Sequence, residues 1–412
     1  MATSISISKE RLLTRLSDLA EVGAIDGGGV CRLALTDADK AGRDQVCQWM
    51  TELGLEIVRD AFGNVRARYL GRDPELSPVM MGSHIDTVRT GGRLDGNLGV
   101  LAGLEIIEAC QATGIRPLRS LEVAFFTNEE GSRFSPDMMG SLVYTGELSL
   151  EEGRSRSDAD GITVGQELDR LGLVGPAPVP GPAPYAFLEL HIEQGPVLEK
   201  MGLSIGVVTA VQGISWQKLR LHGQSNHAGT TPRGMRKDAG LAASRIHVAM
   251  NEIVEKLGGD MVGTVGHQVW RPNLINVIPN EVEMTVDLRS PREAQLGEAE
   301  SLFDQACREI CEDCAVGFTS EQLVRLAPFA FDSTIVSQIE SGARRLGLPF
   351  KTMVSGAGHD AQILGQIAPA GVIFVPSIGG ISHNVVEATA PDDLLAGCQL
   401  LADTVLALAE TP

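Results

Sequence analysis

The first half of the chain alternates short apolar runs with segments whose apolar residues recur at helical spacing. The run at 79–81 predicts a buried strand, residues 98–109 predict a helix, and the run at 121–126 predicts a second strand. Further apolar runs at 186–190 and 371–375 extend the same pattern. Alternating strands and helices are typical of an α/β fold, so we expect a mixed sheet flanked by helices.

The pattern changes in the middle of the chain. Residues 216–221 alternate polar and apolar positions with period two, which is typical of a strand with one exposed face. The other predicted elements here are helices at 238–256 and 293–312 and strands at 262–269 and 281–288. We therefore predict an inserted α+β domain at 212–328, with an antiparallel sheet and two helices, while 1–211 and 329–412 form the α/β domain.

Charge and composition exclude several classes of partner. The 412 residues include 34 Lys and Arg against 53 Asp and Glu, which gives a net charge of −19. A chain this acidic, without a basic cluster, is a poor partner for nucleic acid or for an anionic membrane. The N-terminus has no apolar signal segment, and prolines interrupt the longest uncharged stretch. These features predict a cytoplasmic protein that does not span a membrane.

The cysteines allow two interpretations. The seven cysteines are scattered, as is usual for reduced thiols in a cytoplasm. Three of them, Cys307, Cys311 and Cys314, have a spacing that iron–sulfur proteins also use. The same spacing places them on one face of a helix, where cysteine behaves as a small apolar residue. The absence of glycine and proline between them favours the helix face.

Candidate metal ligands follow the predicted strands, and in open α/β sheets ligands bind beyond the carboxyl ends of the strands. They are His84, Asp95, Glu130, His191 and His383. Three imidazoles and two carboxylates suit zinc, manganese, cobalt or nickel, and five ligands are too many for one open catalytic ion. They predict two divalent metal ions about 3.5–4 Å apart. Asp95 is the expected bridge because the glycines around it let the backbone approach closely.

Two further carboxylates complete the predicted chemistry. Glu129 precedes Glu130 at a strand end, so one of the pair can bind metal while Glu129 takes a proton from the attacking water. Asp86 lies two residues after His84. We expect its carboxylate to accept the second imidazole N–H of His84 and so to fix the tautomer of the ring.

Six motifs resemble those of the M20-type dinuclear metal amidohydrolases. They are GSHIDT at 82–87, NEEGSRF at 128–134, ELHIEQGP at 189–196, HAGTTP at 227–232, SGAGHD at 355–360 and ISH at 381–383. The chain is most similar to the branch that contains N-carbamoyl-L-amino-acid amidohydrolase, β-ureidopropionase and allantoate amidohydrolase. The resemblance covers nearly the whole chain, with the motifs in order.

The resemblance implies a role for each metal ligand. One ion would be held by His84, Asp95 and His191, and the second by Asp95, Glu130 and His383. Glu129 would be the general base. A histidine at 191, where peptidase members usually have a carboxylate, favours the ureido-acid branch over dipeptidases.

The resemblance also implies a homodimer, in which the inserted domain is both lid and dimer contact. His227 would reach the partner subunit's site and polarise the scissile carbonyl. Arg289 and Asn276 would grip the α-carboxylate of the substrate, and Gln194 and His359 would contact its ureido group.

The expected reaction is hydrolysis of the carbamoyl amide of an N-carbamoyl-L-amino acid. Allantoate amidohydrolase is the alternative, and a dipeptidase or N-acyl-amino-acid deacylase is disfavoured by His191. A binding protein without activity is disfavoured by the intact Glu129. The chain departs from the usual family pattern at Arg233 and in the NVVE segment at 384–387 that follows His383. Neither departure removes a catalytic group, so both are interpreted as small adjustments of the site that leave the reaction unchanged.

Overall fold

The computed structural model describes residues 5–412, and its elements are numbered here in chain order. The strands are β1 Ala24–Ile25, β2 Gly29–Val30, β3 Glu56–Arg59, β4 Val65–Tyr69, β5 Val79–His84, β6 Leu121–Phe126, β7 Ala186–Ile192, β8 Ile205–Val211, β9 Gly213–His222, β10 Val262–Arg271, β11 Glu281–Ser290, β12 Gly317–Leu326, β13 Phe329–Ala330, β14 Phe350–Ser355 and β15 Ala370–Val375. The helices are α1 Lys9–Glu21, α2 Asp37–Glu52, α3 Asn97–Thr113, α4 Met139–Thr145, α5 Leu150–Ser155, α6 Val164–Leu171, α7 Val197–Met201, α8 Ala239–Leu257, α9 Glu293–Asp313, α10 Ser333–Arg345, α11 Asp360–Leu364 and α12 Pro391–Ala409.

The chain forms two compact units. The first extends to Thr209 and resumes at Phe331, and the second is Ala210–Ala330. The boundaries predicted from sequence, 212 and 328, lie two residues inside those of the second unit. Among residues 5–412, no helix is both long enough and apolar enough to cross a membrane.

A mixed sheet organises the first unit, as predicted. The strand order is β13-β8-β15-β7-β5-β6-β4-β3, with β14 also pairing with β8. The four central strands β15, β7, β5 and β6 run parallel, and antiparallel pairing adds β8 and β13 on one side and β4 and β3 on the other. Each central strand is buried along its whole length, which explains why its sequence is a continuous apolar run.

Parallel pairing brings the carboxyl ends of the central strands to one edge. His84 at the end of β5 is in register with Phe126 at the end of β6, and His191 in β7 is in register with Phe374 in β15. Helices α3 and α12 pack against these strands with apolar residues such as Leu98. The loops that carry the candidate ligands therefore begin on one rigid platform.

The second unit is a four-stranded antiparallel sheet with α8 and α9 packed against it, as the sequence predicts. Its strand order is β10-β11-β9-β12. Strand β12 was not predicted, because this edge strand is mostly exposed and lacks a continuous apolar pattern.

The clustered cysteines belong to the core of this second unit. Cys307 and Cys311 are buried on α9, and Cys314 ends that helix. Burial raises the pKa of Cys307 to about 12 and that of Cys311 to about 11, so both thiols stay protonated at neutral pH. This arrangement is the helix face that the spacing favoured.

Candidate metal centre

The predicted ligands meet at the carboxyl edge of the central strands. His84 ends β5, His191 lies near the end of β7, and Glu130 follows β6. Asp95 immediately precedes α3, and His383 lies in the loop between β15 and α12. The five side chains lie at the ends of the four central strands or in the loops that follow them. These segments are distant in sequence, and the parallel sheet brings them together.

Asp95 lies between two groups of ligands. Its Oδ1 is 3.6 Å from Nε2 of His84 and 3.0 Å from Nε2 of His191. Its Oδ2 is 3.3 Å from Nε2 of His383, and that same nitrogen is 3.2 Å from Oε2 of Glu130. In each group the ligand atoms lie within 4.8 Å of one another. Each oxygen of Asp95 therefore faces a different group, which is the arrangement of a bridging carboxylate.

The two groups differ in exposure. His84, Asp95 and His191 are all buried, whereas Glu130 is half-buried and His383 is exposed. Since all five side chains line one cavity of about 120 Å³ together with Glu129 and Gln194, the second group opens this cavity to solvent.

Backbone carbonyls fix the tautomers of the two buried histidines. Nδ1–H of His84 donates to the carbonyl oxygen of Asp86, and Nδ1–H of His191 donates to that of Ile192, both at 2.9 Å. Each neutral ring therefore turns the lone pair of Nε2 toward the oxygens of Asp95. In this neutral form both facing atoms are acceptors, so a cation must lie between them, either a proton on Nε2 or a divalent metal ion, and the donor set fits such an ion.

The expected role of Asp86 needs correction. The backbone carbonyl of Asp86, and not its carboxylate, accepts the N–H of His84. The carboxylate instead accepts the backbone N–H of Glu129 at 3.2 Å and that of Glu130 at 3.3 Å. Burial raises the pKa of Asp86 to about 6. Asp86 therefore positions the glutamate pair through the backbone, because the chain turns after β5 and directs its side chain toward the β6 loop.

Electrostatics in the cavity follow from burial and from the facing charges. Burial lowers the pKa of His84, but the charge of Glu129 and the hydrogen bond with Asp95 outweigh it and raise this pKa well above its ordinary value. Hydrogen bonds with Asp95 and Glu130 raise the pKa of His383 to about 10. Burial raises the pKa of Asp95, but its hydrogen bonds with the three histidines hold it well below its usual range. The centre is thus built to hold positive charge next to ionised Asp95.

Glu129 lies at the wall of the same cavity. Its Oε2 is 3.4 Å from Nε2 of His84, and its side chain is 12% exposed. Burial raises the pKa of Glu129 well above its ordinary value. A carboxylate of raised basicity at the wall of a metal cavity is suited to accept a proton from water.

Gly96 is required for the close approach of Asp95 to His84. Its φ is +69°, and a Cβ at this position would lie 2.4 Å from the imidazole of His84. We expect Gly96→Ala to weaken metal binding about 10- to 100-fold, since the added carbon displaces a ligand. Competition with a chromogenic chelator measures this change.

Gly114→Ala is the matched control for this substitution. Gly114 has a φ of +70°, but a Cβ there would meet nothing within 4 Å. Gly114 is in the left-handed αL region, where a side chain costs about 1–2 kcal/mol, and its replacement should leave metal affinity unchanged. Equal loss of metal affinity in both variants would contradict the assignment of Gly96.

Of the two predicted substrate contacts in the first unit, Gln194 lines the cavity and His359 does not. Nε2 of Gln194 donates to Oδ2 of Asp95 at 2.9 Å, and Gln194 lines the cavity. His359 is buried behind His191, with ring centroids 4.7 Å apart, and its Nε2 forms a 2.9 Å hydrogen bond with the hydroxyl of Ser355. His359 is not among the residues that line this cavity, so its expected contact with the ureido group has no support in this arrangement.

The remaining predicted residues lie in the second unit. Nδ1 of His227 accepts the backbone N–H of Gly229 at 3.0 Å and that of Thr230 at 3.2 Å, so the neutral ring carries its proton on Nε2. The backbone carbonyl of Asn276 accepts the backbone N–H of Ala228, so the segment that carries His227 lies beside the segment that carries Asn276. Arg289 forms an ion pair with Asp287 at 2.9 Å.

Sequence reasoning missed two carboxylates near the centre. Asp137 lines the cavity. Glu387 accepts the backbone N–H of Asp95 at 3.2 Å. The only available signal for Glu387 was an acidic residue four positions after His383, and its partner lies almost 300 residues away in the chain.

Comparison with known proteins gives one consistent family. Residues 80–407 match the sequence profile described as peptidase family M20/M25/M40. The chain is 39% identical over 404 residues to an N-carbamoyl-L-amino-acid amidohydrolase of Rhizobium meliloti, covering 98% of this chain and 97% of that protein. It is 38% identical over 386 residues to an allantoate amidohydrolase of Escherichia coli, covering 93% and 94%. The crystal structure of a hydantoinase/carbamoylase family amidase from Burkholderia multivorans is similar, with a TM-score of 0.97, 44% identity and 99% of each chain covered.

Proposed function

The chain belongs to peptidase family M20/M25/M40, and from this membership we propose that it hydrolyses the carbamoyl amide of an N-carbamoyl-L-amino acid. It is a hydrolase that acts on C–N bonds, like the amidohydrolases to which it is similar along nearly its whole length. One water is consumed, and the products are the free amino acid, carbon dioxide and ammonia. The observation that carries the proposal is Asp95, whose two oxygens face separate ligand groups beside Glu129.

Two divalent metal ions per subunit are part of the proposal. His84, Asp95 and His191 would hold one ion, and Asp95, Glu130 and His383 the other. Imidazole and carboxylate ligands suit zinc, manganese, cobalt or nickel. In such a centre, divalent ions supply Lewis acidity and make water easier to deprotonate near neutral pH.

Glu129 moves the proton in this mechanism. It accepts a proton from the water that attacks the carbamoyl carbon, and it delivers that proton to the leaving nitrogen. Asp86 holds Glu129 in place by accepting its backbone N–H. Because burial raises the pKa of Glu129, the carboxylate is a stronger base than one in free solution.

The second unit supplies the groups that bind and polarise the substrate in this proposal. The Nε2–H of His227 would donate to the carbonyl oxygen, where negative charge develops during attack. In a homodimer of the family type, this donor is the partner's His227. Arg289 and Asn276 are proposed to bind the α-carboxylate, and Gln194 the ureido group. The same groups could bind allantoate, a ureido acid, which is the second candidate substrate and the substrate named for a relative.

An assay of ammonia release tests the function and chooses the substrate. The metal-loaded protein is offered N-carbamoyl-L-amino acids, N-carbamoyl-β-alanine and allantoate in parallel. We expect turnover of an N-carbamoyl-L-amino acid that is lost after treatment with EDTA and restored by manganese, cobalt or zinc. Turnover of allantoate alone would select the second candidate. If none of the three compounds released ammonia although metal was bound, a ureido substrate would be contradicted.

A further inference from the structure

Glu387 joins the segments that carry Asp95 and His383, and no step of the proposed mechanism uses it. It is only 3% exposed. Its Oε1 accepts the backbone N–H of Leu94 at 3.1 Å and that of Asp95 at 3.2 Å. Its Oε2 accepts the hydroxyl of Ser382, the residue that precedes His383, at 2.9 Å. One side chain therefore holds the backbone at the bridging ligand and the segment that carries the exposed histidine.

The hydroxyl of Ser382 extends this connection to the bridging carboxylate itself. Its Oγ lies 3.2 Å from Oδ2 of Asp95, the oxygen that faces His383. Asp95 is thus contacted from its backbone by Glu387 and from its side chain by Ser382. Both contacts act on the ligand that the two metal groups share.

Glycines at two positions leave the space that Glu387 and its neighbour Val385 occupy. A Cβ at Gly92 would lie 2.1 Å from Oε1 of Glu387, so the carboxylate can reach the Asp95 loop only because residue 92 is glycine. Val385 packs in the same way against Gly29, where a Cβ would lie 2.5 Å from its Cγ1. Gly92, Gly29 and the segment after His383 therefore form one fitted contact.

We infer that Glu387 is a positioning residue that holds Asp95, the ligand common to both groups, close to His383. Glu387 does not line the cavity, and it acts through these two ligands. Two buried amides would lose their acceptor in its absence and the Ser382 hydroxyl would lose one of its two, so the Asp95 loop would be free to move relative to His383. The inference rests on the metal centre of the proposed function.

The experiment compares metal binding by wild type, Glu387→Ala and Glu387→Gln. Metal content per chain is measured by elemental analysis, and affinity for Mn²⁺ by competition with a chelator. We expect Glu387→Ala to bind Mn²⁺ about 10- to 100-fold more weakly, with ammonia release that recovers as Mn²⁺ is added. Glu387→Gln retains an oxygen that can accept both amides, so its affinity should remain close to that of wild type.

Asp60→Ala controls for the loss of a buried carboxylate that accepts two backbone amides. Asp60 is 4% exposed and accepts the backbone N–H of Phe62 and Asn64, but it lies outside the cavity. It should lower thermal stability without changing Mn²⁺ affinity. Gly92→Ala is a second route to the same test, because it displaces the Glu387 carboxylate, and it should weaken Mn²⁺ binding even if Glu387→Ala does not fold.

Two results would overturn the inference, and they are distinguishable. Unchanged Mn²⁺ affinity in Glu387→Ala and Gly92→Ala, with wild type binding metal normally, would overturn the role of Glu387 alone. A wild-type chain that binds no divalent ion would contradict the proposed function and remove the inference with it.

Discussion

Replacement of Glu129 by glutamine is expected to lower kcat about 10²- to 10⁴-fold, the usual contribution of a general base. Glutamine keeps the shape of the side chain but cannot accept the proton of the attacking water. Glu129 belongs to neither ligand group, so the variant should bind as much metal as wild type. The measurement is steady-state ammonia release by fully metal-loaded protein, with metal content determined on the same sample.

Glu105→Gln is the matched control for this prediction. Glu105 is also a buried glutamate, but its carboxylate accepts from Ser8 and Arg11, at the start of α1. Its replacement should lower stability and leave kcat unchanged. A Glu129→Gln variant with wild-type kcat would remove the base from the mechanism, and one that has lost its metal would show that Glu129 is a ligand instead.

Replacement of Asp95 by alanine is expected to remove both metal ions and to abolish activity. Asp95 supplies one oxygen to each ligand group, so its loss leaves both groups short of a ligand. Metal content should fall from two ions per chain to less than one, and the loss of the hydrogen bonds between Asp95 and the three histidines should lower stability as well. Elemental analysis of the purified variant measures the first effect, and thermal unfolding the second.

His383→Ala is the comparison for Asp95→Ala, because Asp95 belongs to both ligand groups and His383 to only one. His383 belongs only to the group that contains Asp95 and Glu130, so its replacement should remove one ion and leave the buried group occupied. Equal metal loss in Asp95→Ala and His383→Ala would contradict a bridging role for Asp95.

Much of this centre could be predicted from sequence because its ligands follow continuous apolar runs. The runs that end near His84 and His191 are buried parallel strands, and parallel strands bring their carboxyl ends to one edge. The glycine beside Asp95 indicated a close backbone approach, and Gly96 does face the ring of His84. For these residues, local pattern and global fold agree.

Other features could not be read from the chain because spacing does not determine which atom makes a contact. The two-residue step from His84 to Asp86 suggested a bond to the carboxylate, but the backbone carbonyl is the acceptor. The contact of His359 with the ureido group stays a prediction, and spacing could not have shown that its ring packs against His191 and Phe374. The contact of Glu387 with the Asp95 loop depends on tertiary structure alone.

A titration of activity with metal tests whether the centre holds two ions. Metal-free protein is given increasing Mn²⁺ at high protein concentration, and ammonia release from an N-carbamoyl-L-amino acid is recorded at each addition. We expect activity to rise from zero and to reach its plateau at two equivalents per chain. Activity that is independent of added metal, or that is complete at one equivalent, would contradict a centre of two ions bridged by Asp95.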